Sequence, residues 1–375
     1  MSCKQLCGSG RLRKLCRLAL GTVILLELVI QYMMNVRFEP SSLVDANGAN
    51  HQAFQKTQNC PASVLDHKGI YQNPKLLSGS VWDKIVLITA ANNGYYDILK
   101  NWEYLAGVQG LQWAIAALDQ EIYERLGPNR AFPTDSSFAI PNVTSWRETA
   151  FNQISCNKLR MVLRILEDCD LDVVFSDPDN VFLKNPFAHD MGQLIQSGDY
   201  DYIYEINSAV SDTPRTYVEK GEVNIEGQRF EVAEGNTGFH YLSRKSSWLK
   251  KLIKITLEQC ASPDNQLDDQ VLFWNLLRQN LPYRVCSESS KVGATTWVYH
   301  NVPKKNPDSF GAILSICYLD PYFYKVGREA PLSQNHQRDM VVFHANYVMG
   351  KPNKIKSLKE NTWEGQGWHM SRFFG

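Results

Sequence analysis

The sequence predicts an α/β fold in which a sheet is buried between helices, and three observations carry that expectation. Short apolar runs, too rich in β-branched residues to be helices, alternate with segments of helical spacing. From residue 85 onward the order is strand, helix, strand, helix, the pattern that wraps a parallel sheet. The best-marked strand, Leu171 to Ser176, runs straight into Asp177-Pro178-Asp179-Asn180. Pro178 cannot donate to a ladder, so pairing should stop there and leave both carboxylates at the carboxyl edge of the sheet, where α/β proteins bind ligands. Two hard oxygen donors so close together suit Mg²⁺ or Mn²⁺ bridging a diphosphate. An acidic turn that only solvates a strand end is the plain alternative, and so short a motif does not decide alone.

Composition narrows the classes. The 375 residues carry 39 basic and 39 acidic side chains, so there is no positive excess to track a nucleic-acid backbone, and no nucleic-acid partner is expected. Arg11, Arg13, Lys14 and Arg17 precede an apolar run from Leu18 to Val36, close to the roughly 20 residues that span a bilayer. Basic residues before the run and few after it place the N-terminus in the cytosol and the bulk of the chain in a lumen, a type II arrangement. Glu27 and Gln31 interrupt the run, and bulky Tyr32-Met33-Met34-Asn35 offers no small-residue cleavage site. The expected organisation is a cytosolic tail at 1–17, a membrane anchor at 18–36, a stem at 37–80 and a catalytic domain at 81–375. Six of the nine cysteines then fall in the lumen, enough for three disulfides whose pairing stays open. Asn142-Val143-Thr144 is a glycosylation sequon that agrees with this placement.

The elements follow in order. Ile85 to Ala90 reads as a buried strand leading into the turn Asn92-Asn93-Gly94. Ile98, Leu99, Trp102, Leu105 and Ala106 recur at helical spacing, closed by Gly107 and Gly110. Leu111 to Leu118 is a second strand, and a short helix through Tyr123 and Leu126 ends at Gly127-Pro128. A loop with Pro133 and Pro141 precedes a helix marked by Ile154, Leu159, Val162, Leu163, Leu166 and Cys169, which leads into the Asp-x-Asp strand. Tyr202 to Ile206 is a further strand and 223–232 a hairpin. Glu234 to Leu242 is glycine-rich and aromatic; glycine inside a strand marks a close approach by backbone or ligand, or else an edge bulge. A helix from Ser246 to Gln259 is core. Asp268-Asp269-Gln270 opens another helix, where the acids would serve at least as caps. Val341-Val342-Phe343 ends in His344, with Gly350, Lys351 and Lys354 close behind. A histidine there could ligate a metal while the lysines neutralise phosphate. No G-x-G-x-x-G or Walker loop is present.

Five stretches in this order, Val86 to Thr89 with Asn101-Trp102, Ser176 to Pro186, Asn236 to Phe239, Asp269-Gln270 with Asn275, and His344 to Asn346 with Gly350 and Lys354, resemble glycosyltransferase family 77, which includes plant-type xylosyltransferases. The resemblance implies a GT-A fold, that is, a Rossmann-like mixed sheet with helices on both faces, together with a divalent cation (Mn²⁺ or Mg²⁺), a UDP-sugar donor, a glycan or glycoprotein acceptor and transfer with retention in the Golgi. It implies a metal site of Asp177, Asp179 and His344. Thr89, Asn92, Asn236, Thr237, Gly238, Gly350 and Lys354 would line the donor, and Asp269 and Gln270 would stand at the anomeric carbon. One departure matters: the residue between the two aspartates is usually small or β-branched, and here it is Pro178. It would either preorganise the loop or distort it, and the second outcome keeps open an inactive, binding-only relative. An Asp-x-Asp strand also marks haloacid-dehalogenase-like phosphatases, though these carry it on the first strand of the core.

Overall fold

A computed structural model of the chain describes residues 59–71, 81–134, 149–207, 223–225, 228–230, 234–262, 265, 267–280, 283–288, 297–301, 314–327 and 333–370. The expected anchor at 18–36 and the sequon at Asn142 lie outside them, and no helix among the described residues is long and apolar enough to cross a membrane.

In chain order the first half comprises α1 (Ala62–Asp66), β1 (Ile85–Ala91), α2 (Tyr96–Val108), β2 (Ala114–Ala117), α3 (Gln120–Leu126), β3 (Ala131–Pro133), α4 (Thr149–Arg164), β4 (Asp172–Ser176), β5 (Asn180–Phe182), α5 (Asp190–Ser197) and β6 (Tyr202–Ile206). There follow β7 (Val223–Ile225), β8 (Gln228–Phe230), β9 (Gly235–Leu242), α6 (Ser247–Cys260), α7 (Asp269–Asn280), β10 (Tyr283–Glu288) and β11 (Trp297–Asn301). The chain closes with β12 (Leu314–Tyr318), β13 (Tyr324–Val326), α8 (Gln334–Asp339), β14 (Val342–His344) and α9 (Lys351–Glu360).

Nine strands form one sheet in the order β11-β10-β12-β6-β9-β4-β1-β2-β3. The period of two along β1 shows how it is buried. Val86, Ile88 and Ala90 enter a core with Leu159 and Val162 of α4, Leu252 of α6 and Phe273 of α7. Ile85 and Leu87 enter a second core with Trp102 and Ala106 of α2 and Leu194 of α5. Helices therefore cover both faces, and the strands between them read as unbroken apolar runs. β1 pairs in parallel with β2 and β4, and β4 and β6 each pair with β9 in antiparallel fashion. The sheet is mixed, as the resemblance implies.

Several local expectations shift. The second strand is shorter than 111–118, and Pro133 ends a strand, β3, at the sheet edge, where a residue without an N–H is tolerated. Residues within the range assigned to a stem belong to the packed body: Val64 and Ile70 are fully buried, and Cys60 is bonded to Cys169. The other bridges are Cys156–Cys260, tying α4 to α6, and Cys286–Cys317, tying β10 to β12. The hairpin is present as the antiparallel pair β7 and β8.

A second, three-stranded sheet in the order β13-β14-β5 was not foreseen, and it builds the site. After the proline turn the chain leaves the large sheet and pairs β5 antiparallel to β14, with Asn180 opposite His344 and Val181 opposite Phe343. Val181, Phe343, Ala345 and Leu358 of α9 pack with Leu105 of α2 beneath it.

Candidate metal and donor site

The turn that carries the acidic pair is closed by a hydrogen bond from the Asn180 N–H to the Asp177 carbonyl at 3.0 Å. Pro178 is then the second residue of a four-residue turn, where its fixed φ is favoured. A proline is compatible with this turn. The register of β5 against β14 does the rest: with Asn180 facing His344, the imidazole lands beside the residue that precedes Asn180. His344 Nε2 is 3.5 Å from Asp179 Oδ1. One ligand atom from each of Asp177, Asp179 and His344 lies within 4.8 Å of the others.

Gly238 makes this approach possible. Its carbonyl accepts from the Asp177 N–H at 2.6 Å and from Asn180 Nδ2 at 2.6 Å, and its own N–H donates to Asn236 Oδ1 at 2.6 Å. A Cβ at 238 would stand 2.2 Å from His344 Cε1 and 2.9 Å from Asp177 Oδ2. Of the two meanings of a glycine in this strand, close approach holds, and the pairing of β6 with β9 is irregular here as well, inside the sheet and not at its edge. The same three residues present two oxygens and one nitrogen, a donor set suited to Mn²⁺ or Mg²⁺, around a space that a methyl group would fill.

Two lysines hold the carboxylates. Lys354 of α9, 175 residues away, pairs with Asp179 Oδ2 and donates to the Ala345 carbonyl at 3.2 Å. Lys158 of α4 reaches both oxygens of Asp177, at 3.1 and 3.2 Å. Burial works against ionisation of Asp179, but Lys354 and His344 outweigh it and hold the carboxyl well below its usual range. Burial likewise opposes charge on His344, and Asp179 and Glu205 overcome it, raising the imidazole to about 9. Lys158 stays charged against burial because Asp177 and Asp269 both attract it.

The acids at the start of α7 divide their work. Asp268 is the cap, accepting from the Val271 N–H at 3.0 Å. Asp269 instead points inward: it is 3 % exposed, and its Oδ2 has no hydrogen-bond partner among the described residues. Burial pushes this carboxyl up to about 6 against the pull of Lys158. Gln270 is held at both ends of its amide, donating to Glu234 at 2.8 Å and accepting from the Thr237 N–H at 3.3 Å. Glu234 also accepts from Asn207 at 3.2 Å and lies 3.7 Å from Arg278.

Thr89 and Asn92 are buried at the carboxyl end of β1, with Thr89 in register with Ser176, next to the acidic pair. Gly350 caps α9 with φ 79°, a conformation that favours glycine, and so sets the helix that carries Lys354. Lys351 pairs with Asp97 at 2.7 Å and not with the acidic pair.

Three residues of the site were not read from the sequence. Lys158 gave no signal in a helix with other basic residues. Tyr95 follows β1, and its phenol is raised by burial and feels Lys354 and both aspartates. Glu205 did give a signal, a carboxylate in an otherwise apolar strand; it is fully buried, and its Oε2 lies 3.0 Å from His344 Nδ1.

Residues 112–358, more than half of the chain, match the family model for nucleotide-diphospho-sugar transferases, and the protein belongs to that family. The match displaces the phosphatase alternative. No curated protein sequence matches significantly. Solved structures with a related outline include galactosyltransferase LgtC in complex with donor and acceptor sugar analogues, 13 % identical over 69 % of this chain and 86 % of that one, at a TM-score of 0.35. The apo structure of the bifunctional glycosyltransferase WbbM is 12 % identical over 77 % of this chain and 52 % of that one, at 0.37. Glycosyltransferase GlyE of Streptococcus pneumoniae TIGR4 is 10 % identical over 52 % and 43 %, at 0.31. Family membership rests on the sequence match and not on these likenesses.

Proposed function

We propose that this nucleotide-sugar transferase is a metal-dependent, retaining enzyme that moves a sugar, xylose or galactose favoured, from a UDP-sugar to a glycan or glycoprotein acceptor. The observation that supports it most is the convergence of Asp177, Asp179 and His344 at the carboxyl edge of the sheet. A divalent cation there, Mn²⁺ or Mg²⁺, supplies positive charge where the departing diphosphate develops negative charge. The chain's own residues do the remainder. Lys354, fixed by Asp179 and the Ala345 carbonyl, adds a cation beside the phosphates. Thr89, Asn92, Asn236, Thr237, Gly238 and Gly350 line the donor side. Asp269, buried with an unpartnered oxygen, faces the sugar as nucleophile of a double displacement. In a front-face departure it would instead steady positive charge at the anomeric carbon, with Gln270 locked beside it as a polar support.

The test is hydrolysis of a panel of UDP-sugars with and without EDTA. Slow, chelator-sensitive release of UDP from one or two donors is expected. A protein that binds UDP-sugar in Mn²⁺ yet turns none over, with or without acceptor glycans, is the binding-only relative, and the enzymatic proposal fails. We further propose a type II Golgi protein, anchored at 18–36 with its catalytic domain luminal. Carbonate-resistant membrane association and glycosidase-sensitive mobility through Asn142 are expected; a freely extractable, unglycosylated chain would overturn this placement.

A further inference from the structure

We infer that Glu205 is the positioning residue of the metal site, holding His344 so that Nε2 is presented to the cation beside Asp179. This rests on the metal proposal above. Glu205 is 0 % exposed, and burying a carboxylate among apolar side chains is unfavourable unless it is hydrogen-bonded and its charge is offset. Its Oε2 is 3.0 Å from His344 Nδ1, while Nε2 on the opposite side of the ring is 3.5 Å from Asp179 Oδ1. A cation at Nε2 leaves the ring's one proton on Nδ1, and a carboxylate at hydrogen-bond distance accepts it. That contact fixes both the tautomer and the ring plane, as outer partners of ligating histidines do.

The backbone aims Glu205 at this task. Pairing of β6 with β9 is regular through Tyr204 opposite His240, then slips so that Glu205 faces Asn236. A slip of this kind re-aims a side chain. The segment it skips, Thr237 to Phe239, contains the glycine that His344 packs against. One irregularity therefore brings the carboxylate behind the imidazole and sets the glycine that the imidazole packs against.

The test is Mn²⁺ binding to the full chain, read from the electron paramagnetic resonance of free Mn²⁺, in wild type, Glu205→Gln, His344→Ala and the double variant. Glutamine is isosteric and uncharged, so the fold should persist, checked by its melting temperature. Wild type should bind Mn²⁺, and Glu205→Gln should weaken binding by about tenfold or more. In the His344→Ala background the same change should have no further effect. Unchanged affinity in Glu205→Gln, or an equal loss without His344, overturns the inference. Absent binding in wild type, or full affinity in His344→Ala, instead overturns the metal proposal beneath it.

Discussion

The two aspartates of one short turn live in different surroundings. Asp179 is 7 % exposed and sits between Lys354, His344 and, behind the histidine, Glu205, all from β6 or the C-terminal part of the chain. Asp177 is 22 % exposed, held by Lys158 of α4, which also feels Asp269 at the start of α7. The difference comes from the turn at residues 177–180: it lifts the chain off the large sheet, so one carboxylate stays beside the helices and the next lies against the small sheet. A dry, over-determined side suits retention of a cation. A more open side, beside a carboxyl kept near 6 by burial, suits contact with a sugar that enters and leaves.

The division breaks most visibly at Asp179. Asp179→Ala removes a ligand, leaves Lys354 without its counter-charge and leaves His344 with Glu205 alone. Metal-dependent turnover should fall on the order of a thousandfold or more. Breaking such a buried pair also costs about 3 kcal/mol of stability. Steady-state rates with and without Mn²⁺, together with thermal melts, check both; wild-type turnover would remove the cation from the dry side.

Asp269→Asn tests the open side and should move stability the other way. The folded carboxyl lies near 6, above its ordinary 3.8, so the native state holds this proton more tightly than the unfolded chain. That contribution is present below about pH 4 and lost as pH rises through about 6, which leaves ionised Asp269 costing up to about 3 kcal/mol at neutral pH. The asparagine variant should therefore melt higher than wild type at pH 7, flatten the stability profile between pH 4 and 6, and lose transfer activity. A lower melting temperature at pH 7 would show that Lys158 needs this charge more than burial opposes it.

Gly238→Ala strikes both sides at once, because the added methyl would meet His344 Cε1 and Asp177 Oδ2 together. A loss of about 1 to 3 kcal/mol in stability and a weaker Mn²⁺ titration are expected. If only stability changes, the glycine serves the backbone and not the site.

These two sides were not equally legible in the sequence. The acidic turn, the apolar strand before it and the helices around it follow from local pattern, since periodicity and a proline are written in consecutive residues. Asp177, Asp179 and His344 could be named, but only resemblance placed His344 near the pair. The physical cause is the register of β5 against β14, a pairing between remote three-residue strands too short to carry periodicity. Lys158 was silent because nothing in a helix of mixed polarity says which basic residue will face a carboxylate on another element, and Tyr95 because a tyrosine in the turn after β1 carries no sign of what it will face. Glu205 was legible in principle. A charged residue inside Tyr202-Ile203-Tyr204-Glu205-Ile206 contradicts a fully buried strand unless it has a task. The cap at Asp268 shows the converse, since a sequence cannot tell which of two adjacent acids caps a helix and which turns inward.

Pro178→Ala is the smallest and sharpest test, because the proline sits in the turn that makes the division and belongs to neither partner set. Its position in the hydrogen-bonded turn from Asp177 to Asn180 accepts the fixed φ without strain, and the missing N–H costs nothing there. Alanine can adopt the same backbone, so what it changes is chiefly the freedom of the unfolded chain. A loss of about 0.4 to 1 kcal/mol is expected, read from urea midpoints at unchanged slope. Turnover and Mn²⁺ affinity should stay within a few-fold of wild type, because the Asn180 N–H and the Gly238 carbonyl still hold the turn. A large gain in activity would mean that the ring had been distorting the metal loop. A large loss would mean that the hydrogen bonds alone cannot keep the two carboxylates apart, and that the division between the dry and the open side depends on the ring itself.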